Sequence, residues 1–373
     1  TLFFGLAALG IFMFFVGRWQ ERFGMRKMIA FGTLLTAVNL LTIAFADHLW
    51  MLYLWSFLNG AACCFVYTPA MTSVQRWFVQ RRGLASGAIN FTFGIAAAVT
   101  SPLFHRLLEG MGYVGMILSV AGATLVMGML AVPFTEGPDH LAKREPSSGP
   151  AVVKVNFVHG RSLTVKECLA TKSFWFLWLT WAFQGAAGIA MVSVATIYGL
   201  SKGFSMESAV LVLTAFNLMN GIGRIIMGFL SDLVNRTLAM STTFFAAAAA
   251  YLLLPHVAGV VGTAFLAAVI GLSFGTLFVV SSPLAADCFG TRHFGAILGL
   301  VFTAYGFIAG LLGPSLSGYI LDNTGGNFTV IFAYLAIFCM MAGIFIRFVI
   351  PPDTASEPAA SLQDADPESA PTI

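Results

Sequence analysis

Stretches of about twenty apolar residues recur from one end of this chain to the other, and that recurrence constrains the fold more than any other feature. Each is long enough to cross a hydrocarbon layer of about 30 Å as a helix rising 1.5 Å per residue. Inside hydrocarbon every backbone N–H and C=O needs a partner, so only helices and closed barrels can cross. A barrel would alternate apolar and polar residues, and these runs do not alternate. Composition agrees: 58% of the 373 residues are hydrophobic and 9% are charged, against about 25% charged in an ordinary soluble domain. The expected fold class is an all-α membrane protein. Spans are expected at 1–17, 28–46, 50–74, 83–108, 112–134, 172–200, 206–231, 237–256, 258–284, 293–320 and 327–350.

Residues 135–171 interrupt this pattern. They hold T-E-G-P-D-H-L-A-K-R-E-P-S-S-G-P, with the Pro, Ser and charge content of a linker. S-L-T-V-K-E-C-L-A-T-K-S-F follows and reads as a short amphipathic helix before the next span. The tail 351–373 has five acids and no Lys or Arg, a composition that favours disorder. The domain reading is therefore 1–134, a 135–171 loop, 172–350 and a 351–373 tail. Basic residues set the orientation. If loop 17–27 is cytoplasmic, 16 of the 19 Lys and Arg lie on that side and two, Arg106 and Lys202, on the other. This expects a multi-pass protein of the cell (inner) membrane with its central loop and C-terminus in the cytoplasm.

The two halves repeat. Gly83, Gly87, Gly94 and Pro102 recur 212 residues later as Gly295, Gly299, Gly306 and Pro314, and Gly17 and Glu21 recur 211 residues later as Gly228 and Asp232. Two independent segments sharing nearly one offset argue for duplication. The span 172–200, shifted back by 211, falls before residue 1. Eleven helices of a twelve-helix arrangement are therefore expected in this chain.

The remaining basic residue, Arg224, lies inside a span. It stands about eight residues, roughly 12 Å, from the end of its helix, too deep for easy snorkelling. A charge near the midplane costs about 2.5–3.5 kcal/mol on insertion scales, so such charges usually face a cavity or a partner. No Asp or Glu is expected mid-span to balance it. An anionic substrate would, because guanidinium pairs bidentately with carboxylate. Asn220 lies one turn earlier on the same face, placed to steady Arg224 or to bond a substrate hydroxyl.

The loop G-R-W-Q-E-R-F-G-M-R-K, 17–27, joins two spans. Gly17 permits close helix approach, and Glu21 can accept from a helix N-terminus in the other half. Arg22, Arg26 and Lys27 can pair with acids or hold anionic lipid. A degenerate copy, G-F-L-S-D-L-V-N-R at 228–236, carries Asp232 and Arg236. The first loop resembles the signature of the major facilitator superfamily, G-x-x-x-D-R-x-G-R-[KR], matching at Gly17, Arg22, Gly24, Arg26 and Lys27 with Glu21 where Asp is usual. A narrower resemblance runs over 1–350. It is carried by Q-R-W-F-V-Q-R-R-G-L-A-S-G (75–87), T-K-S-F-W-F-L-W-L-T-W-A-F (171–183) and N-L-M-N-G-I-G-R-I-I-M-G-F-L-S-D (217–232). These are similar to the oxalate–formate antiporter and monocarboxylate transporter branch.

That resemblance implies a major facilitator fold, two six-helix bundles that give alternating access to a central carboxylate site. It implies Arg224 as the substrate's counter-ion, Asn220 where animal-type carriers have Asp, and Tyr67, Phe274 and Phe278 lining the cavity. Asn90, Gln184 and Tyr305 are further polar mid-span candidates. The second cation of the oxalate carrier falls at Val301, and one cation suits one carboxylate. The expected function is secondary transport of a small organic monocarboxylate of the lactate, pyruvate, formate or acetate type, with exchange or proton symport both open. A dicarboxylate exchanger, a proton-coupled efflux carrier and a non-transporting receptor are the alternatives. No enzyme activity, cofactor or metal site is expected. The six His are read as loop or helix-end residues, no G-x-x-x-x-G-K-[ST] phosphate loop is present, and the basic loops are too short for a nucleic-acid footprint.

Overall fold

The computed structural model describes residues 2–135 and 162–352, apart from the side chains of Leu2 and of several residues between 94 and 102. Among the described residues all regular structure is helical. The first half contains α1 (Leu2–Phe23), α2 (Met25–Ala44), α3 (Leu49–Trp77) and α4 (Arg82–Ala131). The second contains α5 (Val165–Ala170), α6 (Lys172–Ser201), α7 (Met206–Leu233), α8 (Arg236–Leu253), α9 (Val260–Phe289), α10 (Phe294–Thr303), α11 (Leu316–Asn323) and α12 (Phe328–Phe345). Ten stretches of the described residues are helical, long and apolar enough to cross a membrane. The other expected span, 83–108, is the first arm of α4, which includes the side chains not described. Most of the linker, 136–161, and the tail from 353 onward lie outside the described residues.

The structure differs from the sequence reading in three ways. The spans expected at 83–108 and 112–134 form one element, broken where Gly112 takes φ 70° and ψ 179°, a backbone shape only glycine adopts without strain. The span expected at 293–320 is not a uniform α-helix: Ala304–Ala309 and Leu311–Ser315 are π-helical. Pro314 explains the second of these, because it has no N–H and its ring crowds the carbonyl one turn back. The Gly310 carbonyl also accepts from Ser315 Oγ at 3.3 Å. Third, α3 and α9 run to Trp77 and Phe289, past the expected ends at 74 and 284. The short helix expected before α6 forms as α5, with Thr164 and Glu167 making a reciprocal cap.

The duplication is written into the packing. α1 packs on α3 and α10, α4 packs on α7, and α7 packs on α9. Where α1 crosses α10, a Cβ on Gly17 would lie 2.2 Å from the Gly295 carbonyl carbon, and one on Gly299 would lie 2.4 Å from the Phe14 nitrogen. Where α4 crosses α7, a Cβ on Gly83 would lie 2.3 Å from the Gly228 carbonyl oxygen, and one on Gly87 2.7 Å from that of Arg224. Each repeated glycine thus meets the copy of its own partner. Two backbone-on-backbone crossings related by the repeat join the halves at the same end, the end that carries the signature loop. Small residues at crossings are how helices associate where water supplies no driving force.

Candidate functional site

Arg224 sits on α7 at its crossing with α4 and is 9% exposed. Its helix starts at Ser205, whose hydroxyl accepts from Ser208 N. Two glycines let neighbours close around the Arg224 turn: Gly87 on α4, and Gly275 on α9, whose Cβ would lie 2.5 Å from the Asn220 carbonyl oxygen and 3.3 Å from Arg224 Cγ. The guanidinium donates from Nε and Nη2 to Asn220 Oδ1 at 3.3 and 3.2 Å. Nη1 donates to the Asn90 carbonyl at 2.9 Å, across to the first half. The Phe278 ring lies 5.1 Å from Cζ, within cation–π range. Three of the five guanidinium N–H groups are therefore used and two remain, the number a bidentate carboxylate takes. Among the described residues no Asp or Glu pairs with Arg224.

Tyr67 reaches the same place from α3. Its hydroxyl donates to Asn90 Oδ1 at 3.2 Å, and its ring lies 5.4 Å from Phe93 and 6.1 Å from Phe302. Asn90, a weaker candidate in the sequence, is the junction: its side chain accepts from Tyr67 while its backbone accepts from Arg224. Phe274 lies one ring further out, 5.2 Å from Phe278 and 6.4 Å from Tyr305. Tyr305, on the π-helical segment, packs 5.4 Å from Phe278. Gln184 donates to Ser273 Oγ at 2.8 Å on the α6–α9 contact and makes no described contact with Arg224. Val301 is buried and apolar.

Sequence reasoning missed three contributors. Trp181 is fully buried, donates to Ser281 Oγ at 3.0 Å, and its ring lies tilted 4.3 Å from Phe302 and edge-on 4.9 Å from Phe278. Phe302 and Gly275 are the others. The repeat held a signal for Phe302, since Asn90 shifted by 212 lands on it, as Tyr67 shifted by 211 lands on Phe278.

The signature residues gather at the crossing end. Asp232 accepts from the backbone N–H of Gly83 and Leu84, each at 2.8 Å, so a carboxylate caps the positive end of α4. Arg236 donates to Asp232 at 3.1 Å and to Asp287 at 2.7 Å, and Arg82 donates to Asp287 at 2.6 Å. Glu21, expected on a helix N-terminus, instead meets the ring of His293, the N-cap of α10, with Nδ1 at 3.0 Å. Arg26 donates to the Pro133 carbonyl at 2.7 Å. Arg22 lies over the Phe23 ring, Lys27 is exposed, and Gly24 takes φ 87° between α1 and α2. His105, read at a helix end, lies within α4 with Glu109 one turn on, 3.3 Å away, and both are mostly exposed. Among the described residues no three metal-ligating side chains come together.

Comparison with known proteins decides the family. The profile of the major facilitator superfamily matches residues 1–310 and 208–371. The chain belongs to the major facilitator superfamily. It is a multi-pass membrane transporter, not an enzyme. The chain is 29% identical to the oxalate:formate antiporter of Oxalobacter formigenes over 343 residues, covering 90% of this chain and 78% of that one. It is also 29% identical over 340 residues to monocarboxylate transporter 13 of Bos taurus, covering 89% and 75%. Its fold matches the E. coli fucose:proton symporter with a TM-score of 0.64 at 18% identity, over 94% of this chain and 90% of that one. The outward conformation of that transporter matches with a TM-score of 0.67 at 16% identity, over 94% and 88%.

Proposed function

We propose that this transporter carries a small organic monocarboxylate, held at Arg224, by alternating access between two bundles, 1–134 and 172–350. One observation carries the reading: a buried guanidinium keeps two N–H donors for a ligand and has no acidic partner among the described residues. The carboxylate would take those donors, with the Tyr67 hydroxyl and the Phe278 and Phe302 rings beside it. Val301 leaves the site with one cation, which suits one carboxylate better than two. The antiporter and the monocarboxylate transporter among its relatives support the same chemistry. With Arg224 left unpaired, reorientation would bury a bare charge, which favours exchange of one anion for another. In this reading the crossing end, with Gly17, Asp232 and Glu21, faces the cytoplasm, as the placement of Lys and Arg implies.

The test is uptake of labelled lactate, pyruvate, acetate, formate and oxalate into proteoliposomes, for wild type, Arg224→Gln and Arg224→Lys. Gln removes the charge; Lys keeps it without the planar pair of donors. We expect one or more monocarboxylates to be carried, Gln to abolish uptake and Lys to retain a minor part. Uptake that survives in Arg224→Gln, or a preference for oxalate or for neutral solutes, overturns the reading.

A further inference from the structure

Between Arg224 and the crossing end, the first half carries a strip of buried polar side chains. Asn90 Nδ2 donates to the Ser86 carbonyl at 2.9 Å, and Gln75 Nε2 donates to Ser86 Oγ at 2.5 Å. Gln20 Nε2 donates to Thr72 Oγ1 at 2.9 Å, and Thr72 Oγ1 donates to the Thr68 carbonyl at 2.8 Å. Gln20 stands at the boundary between the halves, where a Cβ on Gly295 would strike its Nε2. Gln20, Thr68, Thr72, Gln75, Ser86 and Asn90 are all nine-tenths or more buried. Yet Gln20 Oε1, Gln75 Oε1 and Thr68 Oγ1 have no hydrogen-bond partner. A buried polar atom without a partner costs free energy, and so many in one strip need an explanation.

Helix packing does not supply one. The matching helices pack in the second half with apolar residues at most of the repeated positions, although Gln20 shifted by 211 becomes the buried Ser231. Thr68 and Thr72 shifted by 211 become Val279 and Pro283, and Ser86 and Asn90 shifted by 212 become Leu298 and Phe302. A shift of one residue either way in the repeat leaves the Thr68, Thr72 and Ser86 positions occupied mostly by apolar side chains. Polarity is therefore not what holds these helices together. Groups that lack partners here would be satisfied once the crossing end parts and water enters.

We propose that Gln20, Thr68, Thr72, Gln75 and Ser86 line the passage by which the anion leaves Arg224, with its hydration water, toward the crossing end. The passage runs along this first-half face, where the matching second-half positions are mostly apolar; the second half's own orphaned atoms, Gln184 Oε1 and Ser282 Oγ, stand outside those matched positions. Neutral amide N–H and hydroxyl O–H groups suit this task, since they can donate to a carboxylate without trapping it as a second cation would, and the amide oxygens can take its hydration water. The inference rests on the anion reading of Arg224 for its cargo, and on the buried strip alone for its course.

The experiment compares matched cysteine positions on the full chain in proteoliposomes, over the labelling of the wild-type protein. Thr68→Cys and Ser86→Cys are set against Val279→Cys and Leu298→Cys; all four native side chains are buried here. A membrane-impermeant anionic methanethiosulfonate and its cationic counterpart are applied from the crossing-end side, with and without lactate or pyruvate. Labelling is read on protein that still exchanges anion, and the second pair serves if one variant does not. We expect the first-half thiols to label about tenfold faster than their mates, with the anionic reagent ahead near Arg224. Addition of a carried anion should speed labelling as turnover opens the end. Equal rates within both pairs, or no labelling in exchanging protein, overturns the proposal. If labelling is one-sided while Arg224→Gln still carries anion, the passage stands and the reading of Arg224 falls.

Discussion

Replacing Gly17 by Ala tests what holds the crossing end together. A Cβ there would lie 2.2 Å from the Gly295 carbonyl carbon, 2.3 Å from the Ala296 nitrogen and 2.4 Å from the Gly295 oxygen. All three are backbone atoms of a packed helix, so no side chain can swing aside. Ordinary contact begins near 3.4 Å, so α1 and α10 must part locally by about 1 Å, a gap that forfeits a quarter to a half of each dispersion contact across the crossing. Overpacking of this kind costs about 1–3 kcal/mol. If the cost falls on the closed arrangement alone, about 2 kcal/mol shifts its population roughly thirtyfold toward the arrangement open at this end. Spin labels at Phe23 and Arg292, both exposed, would report the separation by double electron–electron resonance. A longer component should appear or grow, and exchange should slow because closure has become the difficult step. Two companions sharpen the test. Gly295→Ala places its Cβ 2.0 Å from Gln20 Nε2, the far end of a flexible side chain, so its effect should be smaller. Gly122→Ala meets nothing within 4 Å and should leave distances and exchange unchanged. An unaltered distance distribution in Gly17→Ala, or a larger opening in Gly295→Ala, would refute the reasoning.

Other outcomes follow from the same geometry. Asn220→Ala removes two hydrogen bonds to a charged group, each worth about 1.5–3 kcal/mol, so the KM for the carried anion should rise at least about tenfold in an uptake series; Asn220→Asp should fail for the opposite reason, by giving Arg224 a resident counter-ion that competes with substrate. Gly275→Ala pushes a methyl against the Asn220 carbonyl and Arg224 Cγ, and at about 1–3 kcal/mol of overpacking it should depress uptake while far-ultraviolet circular dichroism stays helical. Cys168 on α5 is buried, and burial, with Cys288 beside it, pushes its thiol up to about 12. It is therefore protonated throughout the neutral range, so maleimide should modify it only after the protein is unfolded in detergent, as mass spectrometry of the peptide would show.

How much of this was legible in the sequence depends on the physics at each residue. Helix positions follow from apolar length. The repeat showed Gly17 and Gly228, and Gly83 and Gly295, as copies, but which glycine meets which across a crossing depends on helix packing and was not legible. Arg224 announced itself because a charge in hydrocarbon needs an account, and Asn220 because it lies one turn away. The role of Asn90 was not legible: half of it is a backbone carbonyl, which every residue has. Trp181 was hidden among neighbouring aromatics, because a ring's packing partner is chosen by helix rotation and not by residue type. The wide turns at Leu311–Ser315 could have been suspected from Pro314, but those at Ala304–Ala309 have no proline to announce them. Glu21 reached a ring and not a backbone N–H because its longer side chain and His293 meet first.

The repeat also shows where the two halves part company. Shifted by 211, Met13 and Arg224 are mates, as are Leu9 and Asn220 and Tyr67 and Phe278; shifted by 212, so are Asn90 and Phe302. Met13 is fully buried at the α1–α10 crossing, the place Arg224 holds at the α4–α7 crossing. One crossing is thus apolar and the other charged, on a frame that is otherwise the same. The charge comes from the second half, but its partner across the crossing, the Asn90 carbonyl, comes from the first, and so does the Tyr67 hydroxyl behind it. Rocking one half against the other must therefore stretch or break the bond between Arg224 and Asn90. A carboxylate seated on the free N–H pair would keep the guanidinium compensated while that bond is lost, which links occupancy of the site to motion of the frame. Asn90 cannot be tested by deleting its side chain alone, because the acceptor is backbone. Shortening the arginine's reach with Arg224→Lys, against loss of the bridge behind it with Tyr67→Phe, separates the two contributions. If bound anion governs the motion, Arg224→Lys should slow exchange far more than net release, while Tyr67→Phe changes both in the same proportion.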